Sequence, residues 1–398
     1  MTTTLPPAPW TGRDDLAALV AALDPHGQGT CRYVGGAVRD TLLGLDVKDI
    51  DMATRHRPEE TQALLMAAGI RQVPTGLAHG TITAVLPGGP VEITTLRQDV
   101  STDGRHATVT FSTDWQEDAA RRDFTINALY ADPRTLQISD YFGGLQDLAT
   151  RTVRFIGVAE ERIREDYLRI LRYFRFQARF GGLPADAAAE AACAALAPAM
   201  KGLSRERIAG ELLGLLALPD PAPTLARMAQ LGVLAQVLPE ANVTALPALI
   251  AAEAREGHAP DALRRMAALL PPDPSLAEQV AARLRLSTAQ RKRLATIAGR
   301  DLRDAICPAR TLAYELGQAE AIDRLLLAGR STKDLAGWTV PRLPIKGGQI
   351  VARGVGAGPD VARILRRVEG RWVAEGFPNE ARALQLLDEE LAGGAGAS

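Results

Sequence analysis

The chain has 398 residues, of which 46% are hydrophobic and 23% charged, with a formal net charge of −1. That length predicts two or three domains. The three cysteines, Cys31, Cys193 and Cys307, are scattered without C-x-x-C spacing, which excludes a disulfide framework and a zinc site and fits a reducing cytoplasm. The N-terminal MTTTLPPAPWTGRDD lacks a basic region followed by an apolar one, and no apolar stretch reaches membrane-spanning length, so a soluble protein is expected.

In chain order, the first informative stretch is CRYVGGAVRDTLLGLDVKDIDMAT, Cys31 to Thr54. Arg32 to Val34 reads as a strand, Gly35 and Gly36 as a tight turn with exposed N–H groups, and Ala37 to Leu43 as a helix whose positive end faces what the glycines hold. Arg39, one turn in, adds a charged fork, so a polyphosphate suits the turn. Lys48 to Ala53 reads as a second strand, on which Asp49 and Asp51 share a face. Two adjacent carboxylates repel unless a cation lies between them, and oxygen ligands beside phosphates suit Mg²⁺. A bare Asp-x-Asp is more often a solvated turn, and the glycine turn before it is what favours the metal reading. Ile82 to Leu86 and Val91 to Leu96 form a predicted hairpin around Pro87-Gly88-Gly89-Pro90. Glu92 there is either a solvent-facing residue or a third carboxylate of a two-metal site. His79 and Gly80 are candidates for substrate binding or for a hydrogen-bonded sheet turn, and Gln98 to Ala107 is polar enough to read as a mobile loop.

After about residue 150, Ala, Leu and Arg at helical spacing dominate. Proline-rich breaks at Leu215 to Thr224, Leu269 to Ser275 and Thr339 to Gly348 divide this half. Five of the 46 basic residues are lysine and the rest arginine, concentrated in Arg151 to Gly182, Gln279 to Arg310 and Arg342 to Arg371. Each run is either a phosphate surface or a solvated face with its charges balanced in space. Arg291, Lys292 and Arg293 are consecutive and cannot all share one helix face, yet together they can straddle a phosphate ridge.

Three further segments follow the first motif in order: TGLAHGTIT (Thr75 to Thr83), DWQEDAARRDFTINALY (Asp114 to Tyr130) and REDYLRILRYFRFQARF (Arg164 to Phe180). Together they resemble the bacterial tRNA nucleotidyltransferase and poly(A) polymerase family, class II nucleotidyltransferases, and within it the CCA-adding branch more closely. The resemblance implies an α/β head with a small mixed β-sheet and flanking helices, followed by an all-α neck, body and tail. The corresponding ranges are 1–150 for a catalytic head, 151–218 for a base-reading neck, and 219–338 and 339–398 for a tRNA-binding body and tail. It also implies template-independent addition of C, C and A to tRNA from CTP and ATP, with Mg²⁺ on Asp49 and Asp51, Glu92 assisting, and no membrane or protein partner. Arg122 matches a nucleotide-contacting arginine, with Asp118, Arg121, Asp123 and Asn127 around it, while Phe124 and Ile126 read as core. Asp103, Arg105 and His106 fall in a loop that resembles the family's flexible one. A poly(A) polymerase, a CC-only or A-only enzyme, and a non-catalytic tRNA-binding relative share most of these motifs. The C-terminal segment from Leu343 resembles the tail of CCA enzymes.

Nucleotide choice is predicted from Asp166 and Arg169, three apart on one expected helix, which present an acceptor and a forked donor to one planar partner. Cytosine and adenine offer an exocyclic amine beside an unprotonated ring nitrogen; uracil and guanine offer a carbonyl beside a ring N–H. A fixed Asp and Arg therefore accept the first two bases and reject the others. The same spacing also suits a surface ion pair. The matching family residues bind the incoming base, although this chain has Tyr167 where the family usually has proline. Arg172 and Arg175 continue the stripe towards the triphosphate.

Overall fold

The computed structural model describes residues 3–76, 80–102 and 107–394; His79, Asp103, Arg105 and His106 lie outside the described residues. The chain divides into two compact units, Met1–Pro239 and Glu240–Ser398.

The first unit opens with α1 (Asp14–Leu23), β1 (Cys31–Val34), α2 (Gly36–Leu42), β2 (Ile50–Thr54) and α3 (Pro58–Ala67). There follow β3 (Gln72–Gly76), β4 (Thr81–Leu86), β5 (Gly89–Thr95), β6 (Arg97–Thr102), β7 (Ala107–Phe111), α4 (Trp115–Ala120), β8 (Leu129–Ala131), β9 (Ile138–Asp140) and α5 (Gly144–Ala149). Seven strands form one mixed sheet in the order β3-β4-β5-β2-β1-β8-β9, the expected fold class for the head. Among the described residues only β2 and β5 run parallel, and their register sets Asp51 opposite Glu92.

Asp49 is not in the strand, contrary to the sequence expectation, because β2 starts at Ile50. The register Ile50 to Val91 would bring Asp49 opposite Pro90, which has no N–H to continue the ladder. The predicted hairpin tightens for a related reason: Leu86 pairs with Gly89, leaving Pro87 and Gly88 as its loop. Of the segment Gln98 to Ala107 read as a mobile loop, residues 98–102 lie in β6 and Ala107 opens β7, the two strands of an antiparallel ribbon; its centre, 103–106, lies outside the described residues.

The helical part of this unit runs α6 (Ala159–Glu165), α7 (Leu168–Phe180), α8 (Ala187–Leu196), α9 (Arg205–Leu216), α10 (Ala222–Gln230) and α11 (Val233–Val237). An aromatic cluster seats α7 on the head: the Phe124 ring lies 5.0 Å from Phe155 and 5.1 Å from Phe176, and Phe155 stacks on Tyr173 at 5.7 Å. Phe124 and Ile126 are buried, as core residues should be. Asp166 and Arg169 are not on one helix. Asp166 separates α6 from α7 with an extended backbone (φ −156°, ψ 104°), and its Oδ1 accepts the Leu168 N–H at 3.1 Å, satisfying an orphan donor of the next helix.

The second unit contains α12 (Leu246–Glu256), α13 (Ala262–Leu269), α14 (Pro274–Arg283), α15 (Thr288–Ala298), α16 (Ala309–Leu316), α17 (Gln318–Leu327), α18 (Gly347–Val351), α19 (Pro359–Ala374) and α20 (Glu380–Gly394). Its interior carries charge. Arg265 meets Glu253 at 2.8 Å with both side chains 2% exposed, and Arg324 meets Asp304 at 2.7 Å. Much of the basic surface expected here is neutralised internally: Arg283 forks onto Glu240, Arg353 meets Asp388 and Arg367 meets Glu390. No helix among the described residues is long and apolar enough to cross a membrane.

Gly144 marks a place where the head tolerates no side chain. A Cβ built there would fall 2.3 Å from the Thr125 carbonyl oxygen. Both are backbone positions in a buried corner, so relief requires shifting α5. Gly144→Ala should therefore lower stability by about 1–3 kcal/mol, read as a lower melting temperature; an unchanged melting curve would show that the corner yields freely.

Candidate active site

The glycine turn has the tight backbone that its sequence implies. Gly35 adopts φ 70°, ψ −123°, a conformation reserved for glycine, and donates its N–H to Leu129 O at 3.1 Å. The first N–H groups of α2 beyond it have no acceptor within the helix. Gly35 and Gly36 form part of the wall of a cavity of about 690 Å³, together with Asp49 and Asp51. Asp166, Arg169, Arg172 and Arg175 line it too, so residues at and just after the α6–α7 junction meet those of the glycine turn and the paired aspartates in one space.

The arginines are held more firmly than a free phosphate fork would be. Arg39 is buried, donating to Asp40 Oδ1 at 2.7 Å and to Asn127 Oδ1, with its guanidinium 4.2 Å from the Phe180 ring centre. Burial lowers its pKa, opposed by Asp40. Arg172 donates twice to Asp123 Oδ2, at 2.8 and 2.6 Å, and Arg175 meets Glu211 at 2.6 Å. Arg122 donates to Tyr130 Oη at 3.0 Å and to Asp118 Oδ2 at 3.1 Å. Its Nη1 lies 3.7 Å from where a Gly35 Cβ would be, so it borders the turn directly.

Arg169 does not pair with Asp166. It donates to Glu165 Oε2 at 2.5 Å, Arg162 O at 2.9 Å and Arg121 O at 3.2 Å. Asp166 Oδ2 accepts instead from Arg207 Nη2 at 2.5 Å. Glu165 stands four residues before Arg169 but ends α6, ahead of the break at Asp166, so this pair joins two helices and does not follow from helical spacing. Arg207 is 41 residues from Asp166 and no local pattern connects them. Glu211, Tyr130 and Arg207 were all absent from the sequence-based candidates.

A divalent cation is the group this rim suits. Among the described residues, no three His, Cys, Asp or Glu form a ready-made metal cage. The donors present are nonetheless all carboxylate oxygen: Asp49 and Asp51 in the cavity, and Glu92 beside Asp51 in register although not itself in the cavity wall. Burial, then the charges of Glu92 and Asp49, push the Asp51 pKa up against the opposing pull of Arg122. A hard cation bound between these groups would relieve that repulsion, so the residues fit Mg²⁺.

Arg291 and Lys292 are exposed on α15, but Arg293 is not available with them. It forks onto Asp323 at 2.9 and 3.0 Å and reaches Asp261 at 2.9 Å. The expected phosphate trio is thus a pair plus one structural arginine.

Asp118 provides a test of the framework's electrostatics. Burial pushes its carboxyl up, but Arg122 and Arg121 outweigh that and hold it at about 2, below its ordinary 3.8. A carboxylate depressed in the fold contributes stability above its unfolded pKa and loses it as pH falls through the folded value. Asp118→Asn should melt below the parent protein at neutral pH, with the gap closing as pH falls from 3.8 towards 2. A pH-independent gap, read by thermal melts across that range, would rule out the charge as its source.

The Poly A polymerase head domain family matches residues 31–154, and the family described as the probable RNA and SrmB-binding site of polymerase A matches residues 184–244. The mitochondrial CCA tRNA nucleotidyltransferase 1 of Mus musculus is 35% identical over 367 residues, covering 88% of this chain and 84% of that protein. A CCA-adding enzyme of Streptococcus pyogenes is 48% identical over 148 residues, 37% of this chain and 36% of that one. The crystal structure of the Bacillus stearothermophilus CCA-adding enzyme in complex with CTP superposes with a TM-score of 0.74 at 25% identity, covering 96% of this chain and 98% of that one. A similarity that runs almost the full length of an enzyme, together with a head-domain match spanning the glycine turn and the paired aspartates, leads to one conclusion: the chain belongs to the CCA tRNA nucleotidyltransferase and poly(A) polymerase family and is a nucleotidyltransferase.

Proposed function

We propose that the protein adds C, C and A, without a nucleic-acid template, to the 3′ end of tRNA, taking the nucleotides from CTP and ATP. The observation that carries this reading is the meeting, in one cavity of about 690 Å³, of the glycine turn, the Asp49 and Asp51 carboxylates and the Asp166 and Arg169 side chains. In this reading the terminal ribose hydroxyl of tRNA attacks the α-phosphate, a new P–O bond forms, and the bond to the β-phosphate breaks to release pyrophosphate. Gly36 and the start of α2 offer N–H donors to the triphosphate at the turn that Gly35 makes, while Arg122, Arg172 and Arg175 surround it with positive charge. Asp49 and Asp51 would hold Mg²⁺, with Glu92 tuning Asp51. When bound, the cation supplies Lewis-acid activation of the attacking oxygen and charge stabilisation of the leaving one.

Base choice is assigned to Asp166 as acceptor and Arg169 as donor. The Arg169 Nη1 hydrogens are taken by Glu165 and Arg162, whereas Nε–H has no partner among the described residues and is free to donate to a ring nitrogen. The helical second unit would hold the tRNA, with the four-part division into head, neck, body and tail as its frame. The buried free thiols fit a reducing compartment, which we take to be the cytoplasm.

The decisive experiment supplies the purified protein and Mg²⁺ with tRNAs lacking their last three, two or one nucleotides, then sequences the products made with each nucleotide singly and together. Ordered completion of CCA is expected. Runs of A would assign poly(A) polymerase activity instead, and arrest after CC or acceptance of A alone would assign a partial enzyme. Asp49→Asn and Asp51→Ala should each abolish addition while leaving tRNA affinity within about threefold, since the cation site does not hold the body of the RNA. Turnover near the parent value in either variant would remove the metal assignment.

For RNA holding, charge reversal is not needed. Neutralising Arg291 and Lys292 together should weaken tRNA binding and reduce the log–log salt slope by about two, one unit per lost phosphate contact. Arg293→Ala should act differently, costing about 1–3 kcal/mol of stability by leaving the buried Asp323 with Arg264 alone at 3.4 Å. An unchanged salt slope in the double variant would move the RNA surface elsewhere.

A further inference from the structure

Asp166 is a short side chain on a bend between two helices, and its carboxylate is oriented by two contacts. The Leu168 N–H holds Oδ1 at 3.1 Å, and Arg207 Nη2 holds Oδ2 at 2.5 Å. Each oxygen keeps a further lone pair. Arg207 belongs to α9, which Ser204 starts by accepting the Arg207 N–H at 3.3 Å, so the residue is anchored at the rigid first turn of a helix. Its side chain is 45% exposed and that of Asp166 27%. Arg207 lines the same cavity as Asp166 and Arg169.

A pair this exposed contributes little to folding. Its effect on geometry is larger. With only the Leu168 contact, the carboxylate can rotate about its last torsion, which is broad and roughly two-fold. A reading group that rotates presents its acceptor out of line with a base amine, whereas Arg169 on the other side is fixed by three acceptors, Glu165, Arg162 and Arg121. The acceptor half of the pair is therefore the less constrained half, and Arg207 is the long-range contact that restrains it.

We infer that Arg207 is a positioning residue for nucleotide selection, holding the Asp166 carboxylate at the angle that accepts the exocyclic amine of cytosine or adenine. The inference rests on the proposed base-reading role of Asp166 and deepens it. Arg207 forms a single Nη2 to Oδ2 contact rather than a two-pronged one, so a lysine ammonium at the same site can restore the restraint in part.

The test measures kcat and KM for CTP, ATP and UTP on tRNA lacking its CCA end, for Arg207→Met, Arg207→Lys and Asp166→Ala, with melting temperatures alongside. Methionine keeps the aliphatic stem and so guards against a packing loss. Arg207→Met should lower kcat/KM for CTP and ATP about ten- to hundredfold, shrink the CTP-to-UTP ratio by at least about fivefold, and leave the melting temperature within about 2 °C. Arg207→Lys should recover most of the ratio. If Arg207→Met keeps the parent ratio while Asp166→Ala loses it, Arg207 is a surface ion pair and the inference is overturned with the base-reading proposal intact. If Asp166→Ala also keeps the ratio, the base-reading proposal itself fails and this inference fails with it.

Discussion

The parallel pairing of β2 with β5 is the constraint on which the rest of the site depends. Among the described residues it is the one parallel contact in a sheet otherwise built from antiparallel neighbours, and it brings Asp51 and Glu92 to the same level with side chains on the same face. Burial and like charge then act together on Asp51. The fold holds this unfavourable arrangement because the apolar sides of both strands, Ile50, Met52, Val91 and Ile93, are buried. Any one-residue slip that relieved the carboxylates would expose that face. Repulsion retained by a hydrophobic register is a physical reason for the rim to favour a cation.

Arginine does two jobs here that composition alone cannot separate. In the first unit Arg39, Arg122, Arg172 and Arg175 border the cavity, yet each also ties elements together through carboxylate, amide or ring contacts. Such preorganisation limits the reorientation needed when a polyanion arrives. In the second unit the same residue type mostly closes ion pairs between helices, as at Arg265, Arg293 and Arg324. Burial pushes Asp323 up to about 6 despite its arginine partners, so its pairing with Arg293 is not strongly stabilising. A basic run in the sequence is a phosphate surface only where the fold leaves its acids elsewhere.

The aromatic cluster of Phe124, Phe155, Tyr173 and Phe176 connects these themes. It fixes α7 against the head through contacts that carry no charge, leaving the arginine stripe of the same helix facing the cavity. Arg39 adds a cationic contact to Phe180 at the far end of α7. The glycine turn, the carboxylate rim and the α7 arginines are consequently parts of one packed unit.

The sequence by itself determined the local features: the glycine turn, the strand carrying Asp51, the hairpin with Glu92, the helical second half and the family resemblance. The first four follow from backbone propensity and periodicity, which act within a few residues, and the resemblance from four motifs in order. It placed Asp49 one residue too far into the strand because the limit is set by Pro90, 41 positions away, which cannot donate to the ladder. It joined Asp166 to Arg169 by helical spacing, whereas the backbone turns at Asp166 and the carboxylate finds Arg207 on another helix. It counted Arg293 with Arg291 and Lys292, although Asp261 and Asp323 had already claimed it. In each case the partner is chosen by distance in space between groups far apart in the chain, and only tertiary packing decides which opposite charge lies within reach.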